Sequence, residues 1–118
     1  MSSARRPSTS SLGAEAERRV CRYYRLRGYL VLGTNVRAGG NELDIVLRRG
    51  RRLVVAEVKY RARAGFGDPW EAVGPEKERR LRRAAEAWLA SRPDLAELDV
   101  VFEAVAVRGG RIERTPLG

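Results

Sequence analysis

Two ionisable residues close a run of sequence that has no obvious use for charge. Glu57-Val58-Lys59 follows Leu53-Val54-Val55-Ala56, a continuously apolar stretch of the kind found in strands covered on both faces. Side chains alternate along a strand, so Glu57 and Lys59 share a face. A carboxylate and an ammonium at the end of a buried strand are costly to desolvate unless they are paired or bind something. Taken alone, the two residues read more readily as a simple ion pair at a strand end than as a chemical site.

Asp44 changes the weighing. In Asn41-Glu42-Leu43-Asp44-Ile45-Val46, Glu42 and Asp44 are expected on one face and Leu43 and Ile45 on the other. Asp is disfavoured within strands, although a solvated polar face would accommodate it. If this strand forms a hairpin with the next, Asp44 lies near Glu57. Two close carboxylates repel unless a proton or cation sits between them, and a divalent ion meets that need. Glu17 falls on the inner stripe of a first helix with Val20 and Tyr24. It is either a partner for metal or arginine, or an acid favoured by the helix dipole. Lys77 aligns with Leu81, Ala84 and Trp88 on a second helix. It either reaches towards the site or snorkels outward.

Composition narrows the chemistry. The 118 residues contain no histidine and one cysteine, Cys21. Ser-His-Asp and Cys-His catalysis, histidine or thiolate zinc sites and an internal disulfide are therefore excluded. Any bound metal must be held by oxygen, which favours Mg²⁺ or Mn²⁺. A formal charge of +9 and a pI near 10.9 suit a polyanion, with nucleic acid first and an anionic membrane second. Lys59 and Lys77 are the only lysines, and such a preference for arginine also follows from genome composition alone. No apolar run approaches the roughly 20 residues that span a bilayer. The first residues lack the apolar stretch of a secretory signal, so a cytoplasmic location is expected.

The elements that must position these residues can be read in order. Residues 1–11, rich in Ser, Thr and Pro, are expected to be a disordered leader, and residues 12–118 a single domain. A helix from about Leu12 to Arg27 stops at Gly28. Tyr29–Val36 is a strand, Ala38-Gly39-Gly40-Asn41 a turn, Leu43–Arg48 a second strand, and Leu53–Lys59 a third that forms a hairpin with it. Gly65, Gly67, Pro69 and Gly74 mark a loop. Pro75 opens an amphipathic helix to about Ser91. Leu98–Val107 is a long apolar strand, and Arg108-Gly109-Gly110-Arg111 turns into a short last one. The order α-β-β-β-α-β-β predicts a mixed α/β fold with helices covering the sheet. The last two strands, Leu98 to Thr115, are expected to be its exposed edge.

An acid, then a strand, then Glu-x-Lys resembles the PD-(D/E)xK nuclease superfamily. More narrowly, the chain resembles the YraN family of endonuclease-like proteins, related to archaeal Holliday junction resolvases. The likeness runs from about Gly13 to Val107. It is carried by Glu17, Gly28-Tyr29, Asn35 with Arg37, Glu42-Leu43-Asp44, Glu57-Val58-Lys59 with Arg61, Phe66-Gly67, Glu71-Ala72-Val73, Lys77 and Asp99-Val100-Val101. Asn41 and Ala16 stand where the family usually has Gly, and Tyr60 where it usually has Thr.

The resemblance implies a restriction-endonuclease-like sheet and a metal-dependent endonuclease acting on nucleic acid, with structured DNA foremost. Asp44, Glu57 and the Val58 carbonyl would hold Mg²⁺ or Mn²⁺. Lys59 would orient or help deprotonate the attacking water or stabilise charge on phosphorus, and Glu17 would bind a second ion or an outer-shell water. Lys77 would contact the scissile phosphate. From their positions, Arg61 and Arg63 in the loop and Arg79, Arg80, Arg82 and Arg83 on the second helix can track a phosphate backbone, or simply form a solvated surface. The rival readings are a nucleic-acid-binding module that keeps the fold but cuts nothing, and an interaction protein whose charge serves solubility. A homodimer is expected if two symmetric strands are cut.

Overall fold

The computed structural model describes the backbone of residues 9–61 and 74–117 and the side chains of residues 13–59 and 74–117. Helix α1 (Thr9–Arg25) is followed by strands β1 (Leu30–Ala38), β2 (Asn41–Arg49) and β3 (Arg52–Arg61). Helix α2 (Pro75–Ala90) comes next, and after a 3₁₀ turn at Pro93–Leu95 the chain ends in β4 (Asp99–Arg108) and β5 (Arg111–Pro116). The α/β order matches the sequence reading. α1 begins at Thr9 rather than Leu12, so Thr9, Ser10 and Ser11 belong to the helix and not to a leader; serine and threonine read as cap or turn residues in isolation. α1 ends at Arg25, two residues before the expected Arg27, and a turn carries the chain to Gly28. Gly28 has φ +89°, open to a residue without a Cβ, and its N–H donates to the Arg25 carbonyl at 3.0 Å.

The five strands form one sheet in the order β1-β2-β3-β4-β5. β3 and β4 are parallel, and the other neighbours are antiparallel. Only the parallel pair needs a long crossover, which α2 supplies. β4 therefore lies inside the sheet. The edges are β1 and β5, which corrects the expectation that β4 shared an edge with β5. The error came from adjacency in sequence: a crossover inserts β4 beside β3.

The helices cover opposite faces. Val20 and Tyr24 of α1 pack with Ile45, Leu47, Val54, Ala56, Val105 and Val107. Leu81, Ala84 and Ala85 of α2 pack with Leu43, Val46, Leu53, Val55 and Phe102. Leu53 to Ala56 is buried throughout, as its unbroken apolar run requires. Each fully buried large side chain here contributes roughly 2 kcal/mol, so β3 is a rigid base for whatever stands at its end.

Candidate active site

β2 and β3 pair from Arg49↔Arg52 to Ile45↔Ala56, and there the ladder stops. β3 continues alongside β4 to Arg61↔Arg108. β2 stays with β1 instead, through Leu43↔Val36 and Glu42↔Arg37. The sheet forks at the position where Asp44 would face Glu57. Within the fork the Val58 N–H donates to Asp44 Oδ2 at 2.8 Å, so a carboxylate takes the place of a ladder carbonyl. A strand residue sends its N–H and C=O out of the same edge. The Val58 carbonyl consequently leaves β3 on the side where Asp44 stands.

The other arm of the fork is irregular too. The β1–β2 register slips between Val31 and Gly33, and Asn35 has φ +51°, an uncommon backbone for a residue other than glycine. Strict alternation fails here as a result. Leu43 packs on the α2 face and Ile45 on the α1 face, which corrects the expectation that they share one.

Glu57 is 5% exposed. Its Oε2 lies 2.8 Å from Lys77 Nζ and 3.3 Å from Lys59 Nζ. Lys77 thus points inward from the first turn of α2, against the preference of a helix N-terminus for anions, because Glu57 is there to meet it. Asn41, Glu42, Asp44, Glu57, Lys77, Arg80 and Leu81 line a cleft of about 280 Å³.

The two ammonium groups sit on Glu57 and leave Asp44 without an ion pair among the described residues. Burial, then repulsion from Glu57, and more weakly from Glu17, push Asp44 up to about 7 against the pull of the Val58 N–H and Lys77. Burial and the neighbouring Lys77 lower the Lys59 pKa although Glu57 opposes them. Burial also pulls on Lys77, but Glu57 and Asp44 outweigh it, and Lys77 is raised. Lys59 is therefore the ammonium that yields its proton more readily.

Glu17 accepts a hydrogen bond from Asn35 Nδ2 at 3.1 Å, and burial raises its pKa, with smaller repulsion from Glu42 and Glu57. It is near the carboxylate pair but not gathered with it. Among the described residues no three acidic or cysteine side chains are close enough to hold one ion. Glu17 therefore does not share one ion site with Asp44 and Glu57, and Asn35 of β1 holds its carboxylate. The oxygens that remain, Asp44, Glu57 and the Val58 carbonyl, are hard donors suited to Mg²⁺, which keeps several of its waters.

On α2, Arg79 and Arg80 lie within 3.4 and 3.6 Å of Glu76, and Arg82 lies 2.7 Å from Glu78. Arg80 also lines the cleft. Arg63, with Phe66 and Trp70, and the side chains of Arg61 and Tyr60 lie outside the described residues.

The chain has relatives in several bacteria. The model of the uncharacterised protein family UPF0102 matches residues 16–107. The chain belongs to the UPF0102 family. It is 38% identical over 96 residues to a UPF0102 protein of Geobacter sulfurreducens, covering 81% of this chain and 74% of the relative. Identity is 42% over 106 residues with one from Acidothermus cellulolyticus, covering 82% and 80%. It is 43% over 98 residues with one from Syntrophotalea carbinolica, covering 83% and 79%. The UPF0102 match contains Glu17, Asp44, Glu57, Lys59 and Lys77, and so spans the whole cleft.

Sequence reasoning missed a second buried carboxylate in this UPF0102 chain. Glu103 of β4 is 3% exposed. Its Oε1 accepts from the Tyr24 hydroxyl at 2.5 Å, and Arg52 and Arg114 lie 3.5 and 3.8 Å away. The signal was present as an acid within the apolar run of β4. Its partners come from three other elements, so spacing could not assign them.

Proposed function

We propose that this UPF0102 protein is a metal-dependent endonuclease that hydrolyses phosphodiester bonds in nucleic acid, with structured DNA as the foremost substrate. One observation carries the reading: two carboxylates meet in an open cleft at a sheet fork, and both lysines there sit on Glu57, so Asp44 is left buried without an ion pair among the described residues. Burial and Glu57 push Asp44 up to about 7, which is a cost to the fold unless a further cation enters. An acid perturbed by burial and a specific charge partner in a cleft is a candidate for chemistry.

Asp44, Glu57 and the Val58 carbonyl would hold the ion. When bound, Mg²⁺ or Mn²⁺ supplies Lewis-acid polarisation of a phosphoryl oxygen and a more acidic water. The chain's own groups do the rest. Lys59, with its lowered pKa, is the group suited to position the attacking water and exchange a proton with it. Lys77 and Arg80, at the rim of the cleft, offer positive charge to the phosphate. Lys77, now 2.8 Å from Glu57, would be available for that role once Glu57 served as a ligand. Cutting a junction symmetrically needs two such sites, so a homodimer formed through a sheet edge accompanies that substrate.

One feature favours a non-cutting nucleic-acid-binding module: both lysines already sit on Glu57. A panel of labelled DNA and RNA structures incubated with Mg²⁺, Mn²⁺ or chelator separates the two. The proposal expects metal-dependent cleavage that Lys59→Ala suppresses. Tight binding with no cleavage under any metal would leave the module.

A further inference from the structure

A larger concavity lies near the carboxylate cleft. A groove of about 470 Å³ runs between α1 and the edge strand β1, lined by Glu17, Arg18, Arg22 and Arg25 on one wall and by Thr34 and Asn35 on the other. We infer that this groove seats a phosphodiester backbone, and that the arginines of α1 supply more of the charge-dependent affinity than those of α2. The inference rests on the nucleic-acid reading above.

Pairing distinguishes three of the four α2 arginines from Arg22 and Arg25; Arg83 makes no ion pair or side-chain hydrogen bond among the described residues either. The acids of α2 hold Arg79, Arg80 and Arg82, and Arg82 also lies over the Phe102 ring at 4.5 Å. A phosphate would have to compete with those partners. On α1, Glu15 holds Arg18 at 2.6 Å, but Arg22 and Arg25 are exposed and make no ion pair or side-chain hydrogen bond among the described residues. Arg18, Arg22 and Arg25 are spaced i, i+4, i+7 and so form one stripe, about 10 Å long at the helical rise. Opposite them, Thr34 and Asn35 present a hydroxyl and an amide, groups that bind phosphate oxygens without reading sequence.

The groove also comes close to the cleft. Glu17 lines it and feels Glu42 and Glu57, which line the cleft. Groove and cleft open on opposite faces of the sheet, and Glu17 is where they come nearest. An anionic membrane fits less well, because a surface-binding helix inserts an apolar face and that of α1 is already buried against the sheet.

The test is fluorescence anisotropy of the full chain with labelled branched and duplex DNA, between about 50 and 200 mM salt. Arg22→Gln/Arg25→Gln is expected to weaken binding about tenfold or more and to reduce the slope of log affinity against log salt by about 1.8. Arg79→Gln/Arg82→Gln, which removes two arginines already held by acids, is expected to cost less than about threefold. Glutamine is a good helix former, and circular dichroism verifies the fold of both variants. A loss larger on α2, or binding by the α1 variant within about twofold of wild type, overturns the inference. Cleavage measured on the same samples separates it from the enzyme reading. If wild type cuts and the α1 variant binds and cuts as well, the groove falls and the nuclease stands. If the α1 loss appears while wild type cuts nothing under any metal, the groove stands and the nuclease falls. Binding to anionic phospholipid vesicles with none to DNA or RNA overturns both.

Discussion

Glu57 and Glu103 sit on adjacent parallel strands, one register step apart: Glu57 pairs with Ala104 and Glu103 with Ala56. Their side chains consequently face opposite sides of the sheet. Both are buried and each is approached by two cations. Their surroundings divide them. Glu103 is closed over by the Tyr24 hydroxyl and held by arginines, which stay charged at any working pH and fix geometry. Glu57 is held by lysines, whose protons can move, and has Asp44 beside it in an open cleft. Burial with counter-charges is thus compatible with a purely structural carboxylate. What sets Glu57 apart is a second acid beside it, Asp44, that no cation pairs among the described residues.

Several substitutions sharpen or break that contrast. The largest effect is expected from Glu57→Gln, which should lower metal-dependent cleavage about a thousandfold, the scale of losing one group that stabilises transition-state charge, while the protein stays folded. Glu103→Ala should do the reverse. It leaves a buried hydroxyl and two guanidinium groups without their acceptor and should cost roughly 3 kcal/mol in denaturant unfolding, with cleavage per folded molecule retained. Equal loss of activity in both variants would erase the distinction. Lys59→Ala should lower cleavage about a hundredfold, with the loss seen in kcat more than in KM.

Asp44→Asn tests the charge imbalance through stability. The folded protein holds the Asp44 proton up to about pH 7, whereas the unfolded chain releases it near its ordinary value. Folded-state preference for the proton means that Asp44 costs no stability at about pH 4 and an increasing amount as pH rises towards 7. Without metal, Asp44→Asn should melt with wild type at about pH 4 and a few degrees above it at pH 8. Added Mg²⁺ should close that gap by stabilising wild type alone. A gap that is the same at all pH values would contradict the repulsion. The smallest effect is expected from Tyr24→Phe, about 1 kcal/mol for a single hydrogen bond, since both arginines still hold Glu103.

Much of the fold was legible because its punctuation is local. Gly28, the Gly39-Gly40 turn and Pro75 bound the elements they were expected to bound. Asp44, Glu57 and Lys77 were picked out as misfits in otherwise apolar patterns, and all three line one cleft. The fork itself was not legible. Where β2 leaves β3 depends on the register slip in β1 and the positive φ of Asn35, neither of which leaves a mark in hydrophobic periodicity. Leu43 was misassigned to a face for the same reason. Glu103 was passed over because an acid inside an apolar run becomes meaningful only when Tyr24, Arg52 and Arg114 are brought to it by tertiary packing. Thr34 and Asn35 of the α1 groove likewise read only as strand residues until α1 lies across them.

The central claim is that Asp44 and Glu57 together capture a hard cation. Calorimetric titration of Mn²⁺ into wild type, Asp44→Asn and Tyr24→Phe at pH 8 addresses it most directly. The account predicts saturable binding to wild type and Tyr24→Phe that is abolished in Asp44→Asn and weakens as pH falls below about 7, where Asp44 keeps its proton. Binding to Asp44→Asn equal to that of wild type, or no saturable binding to wild type at all, would contradict it.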